Sequence, residues 1–296
     1  MNVVARLPRV DRSRTCVALV VAAVGCALVL ALTGSSRSAG TAGAVEQEPV
    51  AALAWPTALQ VAAGAPFRLM QMNLCLSGMA DCYGRVAYPA VVREAVARIR
   101  GTRPHAVTFN EACRRDAARI ARRTGYHLRF SRVIYLGAPL RCIDPGGRGL
   151  FGDAVLTKAR VLTSANRAFR AQAGPEQRRW LCVTTRRHLD VCTTHLSTRH
   201  TRAAAASNRA QCAELAALLA RRAAGGAVAF GGDVNRRRSC APDGVWTRTD
   251  RAADQVPGVQ HVYGNGAALR FPSAKVLPAR HSDHDVLLVG ARRVRR

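Results

Sequence analysis

Four short segments in this chain bring carboxylates, imidazoles and carboxamides together. They read Phe109-Asn110-Glu111, Thr194-His195-Leu196, Gly231-Gly232-Asp233-Val234-Asn235 and Ser282-Asp283-His284-Asp285. Acids are scarce, 18 Asp and Glu against 45 Lys and Arg, so their gathering beside Asn and His is informative. Three of the segments close apolar runs such as AVTF, DVCT and AVAF, and the fourth opens onto VLLV. That is the pattern of buried strands meeting loops. Carboxylates and imidazoles brought from several strand ends to one sheet edge can hold a hard divalent cation and supply a general acid or base.

The elements that must position these residues can be read from periodicity. A strand over Phe67–Met72 delivers Asn73. Val91, Val92, Ala95, Val96 and Ile99 recur at helical spacing, which predicts a helix over Tyr88–Arg100 with one buried face. A strand over Ala106–Phe109 ends at Glu111, and a basic helix follows from Arg114 with Gly125 as its left-handed stop. Gly152–Leu156 reads as a further strand, and residues 180–196 as a hairpin turning near Arg187. Asn208 with Gln211 reads as a capping box opening the helix that carries Leu215, Leu218 and Leu219. Val228–Phe230 leads into Asp233, Asp283 and His284 are expected on opposite faces of an entering strand, and Asp285–Val289 closes the sheet. Strands alternating with helices, some joined as hairpins, define an α/β fold with mixed sheets.

The N-terminal 44 residues are set apart. Arg6, Arg9, Arg12 and Arg14 precede an uncharged run from Cys16 to Leu32, and Ala42-Gly43-Ala44 resembles a cleavage site. This predicts a secretory signal peptide, with an uncleaved N-terminal anchor as the alternative. Residues 45–65 read as a linker, 66–292 as one catalytic domain and 293–296 as a basic tail. Outside the N-terminal run, eight cysteines suit disulfides in an exported protein. Eight cysteines allow about 105 pairings. Local pairing is expected: Cys182 with Cys192 across the hairpin, Cys75 with Cys82, Cys113 with Cys142, and Cys212 with Cys240. No C-x-x-C pair occurs, which disfavours a structural zinc site. The formal net charge is +27, carried almost wholly by Arg, and favours polyanionic partners, either nucleic acid or anionic membrane.

Taken in order, Asn73, Asn110-Glu111, Thr194-His195-Leu196, Gly232-Asp233-Val234-Asn235 and Ser282-Asp283-His284 resemble the motifs of the endonuclease/exonuclease/phosphatase superfamily. The resemblance spans nearly all of residues 67–289. It implies a four-layered α/β sandwich, two packed mixed sheets flanked by helices, and hydrolysis of phosphate esters with Mg²⁺ or with Mn²⁺ or Ca²⁺ in its place. By position it makes Glu111 the main metal ligand, with Asn73 beside it and Asp283 a second carboxylate near the ion. Asp233 would position the attacking water, Asn235 would hold the scissile phosphate, His195 would donate to a phosphate oxygen, and His284 would be the acid/base. Arg199 and Arg236 are candidate contacts to substrate phosphate.

One position departs from the family pattern. Gln260 stands where an Asp that orients a catalytic histidine is expected; Asp250 or Asp254 could take over if their loop folds back. The favoured reading is an exported, monomeric phosphodiesterase acting on nucleic acid, with no obligate protein partner. A sphingomyelinase-like enzyme on choline or anionic phospholipid is the second reading. A polyanion-binding protein on an inactivated scaffold is the third.

Overall fold

The computed structural model describes residues 64–78 and 87–294 of the chain. The proposed signal, most of the linker, Cys82 and the last two arginines lie outside the described residues.

Among the described residues fifteen strands and three helices follow one another. The first half comprises β1 (Ala65–Asn73), α1 (Ala90–Thr102), β2 (Ala106–Cys113), α2 (Arg114–Thr124), β3 (His127–Arg132), β4 (Ile134–Tyr135), β5 (Ala138–Pro139), β6 (Phe151–Thr157), β7 (Val161–Ala168) and β8 (Glu176–Gln177). The second half comprises β9 (Arg179–Thr185), β10 (Leu189–Thr194), α3 (Arg202–Gly225), β11 (Ala227–Asp233), β12 (Val245–Thr249), β13 (Gln260–Asn265), β14 (Leu269–Leu277) and β15 (Val286–Arg293). One six-stranded sheet has the order β14-β15-β1-β2-β6-β3, and another has β12-β13-β11-β10-β9-β7. A small third sheet joins β5, β4 and β8. Both large sheets are mixed: β1 with β2 and β10 with β11 are parallel, and the other pairs are antiparallel.

Strand alternation divides the core into three clusters. Phe67 and Leu69 of β1 pack with Val155 and Val289 against Leu181, Val183, Val191 and Val262 of the second sheet. Their neighbours Met70 and Met72 point the other way, against Val91, Val92 and Ile99 of α1 and Ile120 of α2. On the second sheet, Val228, Phe230 and Tyr263 meet Leu215, Leu218 and Leu219 of α3. The five apolar positions read as the buried face of α1 are all buried. Gly125 ends α2 in the left-handed region at φ 74°, as read from the sequence. Between the sheets Gly231 cannot be replaced, because a Cβ there would overlap the Thr108 hydroxyl.

The hairpin is also as expected. Cys192 lies opposite Cys182, and the two are disulfide-bonded. Cys113–Cys142 and Cys212–Cys240 are likewise formed.

Three local expectations are corrected. Strand β2 does not end at Glu111 but runs on to Cys113, with its register to β6 shifting between Phe109 and Ala112. A bulge inserts the extra residue, and Glu111 sits there at φ 53°. Asn208 and Gln211 do not open α3. Thr201 caps that helix seven residues earlier by accepting from the Ala204 N–H, and the run Ala203–Ala206 propagates it. Asp283 and His284 do not alternate on a strand; they lie in the loop before β15, bonded to each other. At the chain's end, Arg292 and Arg293 pair with Pro66 and Ala65 as part of β15.

Candidate active site

Face alternation explains why this edge is polar. Phe67 and Leu69 give way along the same face of β1 to Gln71 and Asn73, both buried. On β11 the same face runs through Ala227, Ala229 and Gly231 to Asp233. Because β1 and β2 run parallel, as do β10 and β11, their C-terminal ends lie side by side. Strand β15 runs against β1, so its entry loop reaches the same edge.

Asn73 is the hub between the sheets. Its Nδ2 donates to Glu111 Oε1 at 2.9 Å and to Asp233 Oδ2 at 3.2 Å. Its own Oδ1 accepts from the Cys75 N–H at 3.1 Å. Asn110, beside Glu111, fixes the approach of the second sheet: its Oδ1 accepts from the Asp233 N–H at 2.7 Å and from Gln71 Nε2 at 2.8 Å. The Asn110 amide then donates to Asp153 Oδ1 at 2.9 Å.

The imidazoles lie around Asp233. His284 Nε2 is 3.3 Å from Asp233 Oδ2, and its Nδ1 is 2.8 Å from Asp283 Oδ1. His195 Nε2 is 3.8 Å from the same Asp233 oxygen, and its Nδ1 is 3.7 Å from Glu111 Oε1. Asn235, left-handed at φ 51°, sends its Nδ2 to His195 Nε2 at 2.9 Å and to the Leu196 carbonyl at 2.9 Å. An amide nitrogen only donates, so His195 accepts at Nε2 and carries its proton on Nδ1, facing Glu111.

Burial and charge separate these groups. Burial pushes the Glu111 carboxyl up to about 7, with Asp283 and Asp233 adding to it against the Asn73 bond. Burial also acts to raise Asp233, but His195, His284 and the Asn235 N–H pull it below the usual carboxylate range. Burial would lower His284, yet its bonds to Asp233 and Asp283 hold it up at about 11. Burial and the nearby Arg178 lower His195 to about 3, so it is neutral. The site therefore sets a protonated imidazole and a neutral one on either side of one carboxylate.

Gln260, at the unusual position, faces no histidine. Its Nε2 donates to Asp250 Oδ2 at 3.1 Å and to the Asp285 carbonyl at 2.6 Å, and its Oε1 accepts from the Asn73 N–H at 3.2 Å. Asp250 does fold back, but onto Gln260. Asp254 is exposed, and its backbone N–H donates to Asp285 Oδ2 at 2.9 Å. His284 instead meets two other carboxylates, Asp283 at Nδ1 and Asp233 at Nε2.

Several contributors were not visible from sequence as parts of the site. Asn208 Nδ2 donates to the carbonyls of Ser197 (2.7 Å) and Val234 (2.9 Å), so α3 ties the loop after His195 to the loop after Asp233. Gln211 Oε1 accepts from the Ser197 N–H at 2.8 Å. Arg178, nearly buried and paired with Glu176 at 3.0 Å, stands near His195. Of the two arginines already read from the sequence as phosphate contacts, Arg236 places Nη1 3.4 Å from Asn208 Oδ1, and burial together with Arg199 lowers its pKa. Arg199 itself is exposed.

The donor set suits a small hard cation. Among the described residues no group of three or more His, Cys, Asp or Glu is arranged to hold a metal ion, so an ion here would rest on fewer protein ligands. Mg²⁺ uses one or two carboxylates and keeps several waters. Glu111, whose charge is unfavourable where it stands, with Asp283 nearby, offers that number.

The chain matches the model of the Endonuclease/Exonuclease/phosphatase family over residues 82–284, and it belongs to that family of phosphoric ester hydrolases. Similar solved structures include an endonuclease/exonuclease/phosphatase from Beutenbergia cavernae DSM 12333, 18% identical with a TM-score of 0.58, covering 77% of this chain and 72% of that one. The human Nocturnin catalytic domain with bound sulfate anion is 16% identical, TM-score 0.57, covering 76% and 93%. D. rerio TDP2 complexed with single strand DNA product is 13% identical, TM-score 0.53, covering 77% and 99%. At these identities the likeness is one of fold. No curated protein matches the chain by sequence.

Proposed function

We propose that this protein is an exported, divalent-metal-dependent phosphodiesterase that hydrolyses nucleic acid. The observation that carries the reading is the convergence of Asn73, Glu111, His195, Asp233, Asn235 and His284, from both sheets, at one edge. Glu111 would hold the ion, with Asp283 as the second carboxylate. A divalent ion held there would supply Lewis-acid stabilisation of the charge that develops on the phosphate.

Asp233 stays ionised and accepts from the Asn235 N–H at 2.9 Å, which fixes its carboxylate plane for orienting a water. His284, held protonated between Asp233 and Asp283, would donate to charge developing on the phosphate by releasing its longer bond, the one from Nε2 to Asp233. Neutral His195 supports Asn235, which spends two amide hydrogens on His195 and Leu196 and must release one to hold a phosphate oxygen. As placed, Asn73 is a donor that holds Glu111 and Asp233 together, and it becomes an oxygen ligand only by turning its amide.

The nucleic-acid substrate is supported by the excess of arginine, with Arg199 and Arg236 near the mouth, and by a DNA product in a protein of the same fold. Three disulfides suit an oxidising compartment and so support export. The test is nicking of supercoiled plasmid by the purified chain with Mg²⁺, Mn²⁺ or Ca²⁺, and with chelator. Cleavage that chelator abolishes is expected. Intact plasmid with every ion, alongside release of phosphocholine from sphingomyelin vesicles, would replace nucleic acid by lipid.

A further inference from the structure

A pocket of about 480 Å³ opens at the end of the sheets remote from Asn73. Six residues of β1 separate Phe67, in its wall, from Asn73, roughly 20 Å at strand rise. Phe67, Leu189 and Val191 give the pocket apolar sides; Lys158, Arg187 and Arg293 give it charge. No Asp or Glu lines it, and every ion pair among the described residues involves other groups.

The cations are arranged rather than scattered. Arg293 Nη2 donates to the Arg187 carbonyl at 3.1 Å, which brings two like charges to one side. Burial lowers the pKa of Arg293, and Arg187 adds to it. His105 accepts from the Arg68 N–H at 3.0 Å through Nδ1, so its ring proton sits on Nε2 as a further donor. Burial, then Arg68, Lys158, Arg187 and Arg293, press its pKa down to about 4. Three cations and a neutral donor line one pocket, with no carboxylate among the described residues that form it.

From this arrangement we infer that the pocket is a second binding site, for a phosphate monoester with an apolar or aromatic body. Three cations match a dianion better than a carboxylate, and a concave cavity of this size takes a small molecule rather than a strand. The Phe67 and His105 rings, 5.8 Å apart, with Leu189 and Val191, give the organic part a surface. The site is independent of the chemistry at the opposite edge.

Titration calorimetry on the full chain in chelator tests it, with adenosine 5′-monophosphate, octyl phosphate and inorganic phosphate as probes. At least one organic ester is expected to bind more tightly than inorganic phosphate, and the preference between them tells a nucleoside from an alkyl body. In Lys158→Glu/Arg187→Glu, whose altered side chains are exposed, affinity should fall at least tenfold, and in His284→Ala it should be unchanged. The inference is overturned if neither ester outbinds inorganic phosphate, if the double variant binds as well as the parent, or if His284→Ala abolishes binding. Because activity is not the readout, these results stand apart from the nuclease assay.

Discussion

The two ends of the same strands differ in how charge is settled. At the C-terminal end of β1, carboxylates, imidazoles and amides bond to one another across both sheets, and nearly every polar atom named has a partner. At its N-terminal end, Lys158, Arg187 and Arg293 line one pocket with an apolar floor, and among the described residues none of them meets a carboxylate. The first end resembles a preorganised catalytic site, where fixed dipoles await developing charge. The second resembles a site whose missing component is the anion itself.

The contrast can be broken most directly at Glu111. Glu111→Gln should lower kcat/KM at least about a thousandfold with the fold intact by circular dichroism, as expected for an interaction made at the reacting phosphate. Activity that survives at parental level would remove the metal assignment.

A smaller effect concerns stability against pH. Burial raises Asp153 from 3.8 to about 7 in spite of its Asn110 bond. A carboxyl whose folded pKa exceeds its unfolded one binds protons more readily when folded, so stability should fall as pH rises from about 4 to about 7. Glu111 adds to the same slope. Asp153→Asn should flatten the thermal-melt profile in that window, and an unchanged slope would rule out Asp153 as its source.

Next comes the clamp from α3. Asn208→Ala removes two buried hydrogen bonds and should cost about 1–3 kcal/mol in denaturant unfolding. Turnover should fall by about tenfold, because the loops carrying His195 and Asp233 lose their common tie. Full activity at that stability cost would make Asn208 a structural residue only.

The smallest effect is expected at the cationic end. Arg187→Gln relieves repulsion between like charges and should raise Tm by about 1–2 °C at low salt, leaving turnover unchanged. A lowered Tm would mean that Arg187 has a favourable partner.

What the sequence disclosed follows the same division. Glu111, His195, Asp233 and His284 were legible because each sits in a short motif bounded by an apolar run, and strand ends of parallel pairs converge. The bonded Asp283–His284 pair was misjudged because adjacency suggests opposite faces only inside a strand, and that segment is a loop. Asn208 and Gln211 look like a helix start by residue type, since the same amides cap a helix or tie loops depending on burial. Strand β14 gave little alternation, because most of it is exposed and Pro272 and the left-handed Phe271 interrupt its register. The cationic pocket was illegible for another reason: its residues come from positions 105, 158, 187 and 293, and no local spacing joins them.

The reach of Asn208 and Gln211 across both loops also bears on how this chain can vary. Each residue inserted into α3 between Thr201 and Asn208 would turn the amides by about 100° around the helix axis and strip both loops of their anchor at once. The same residue added at 198–200, ahead of the Thr201 cap, would leave the helix phase alone. Length changes are therefore expected to be tolerated on one side of Thr201 and selected against on the other, far from any atom that meets the substrate.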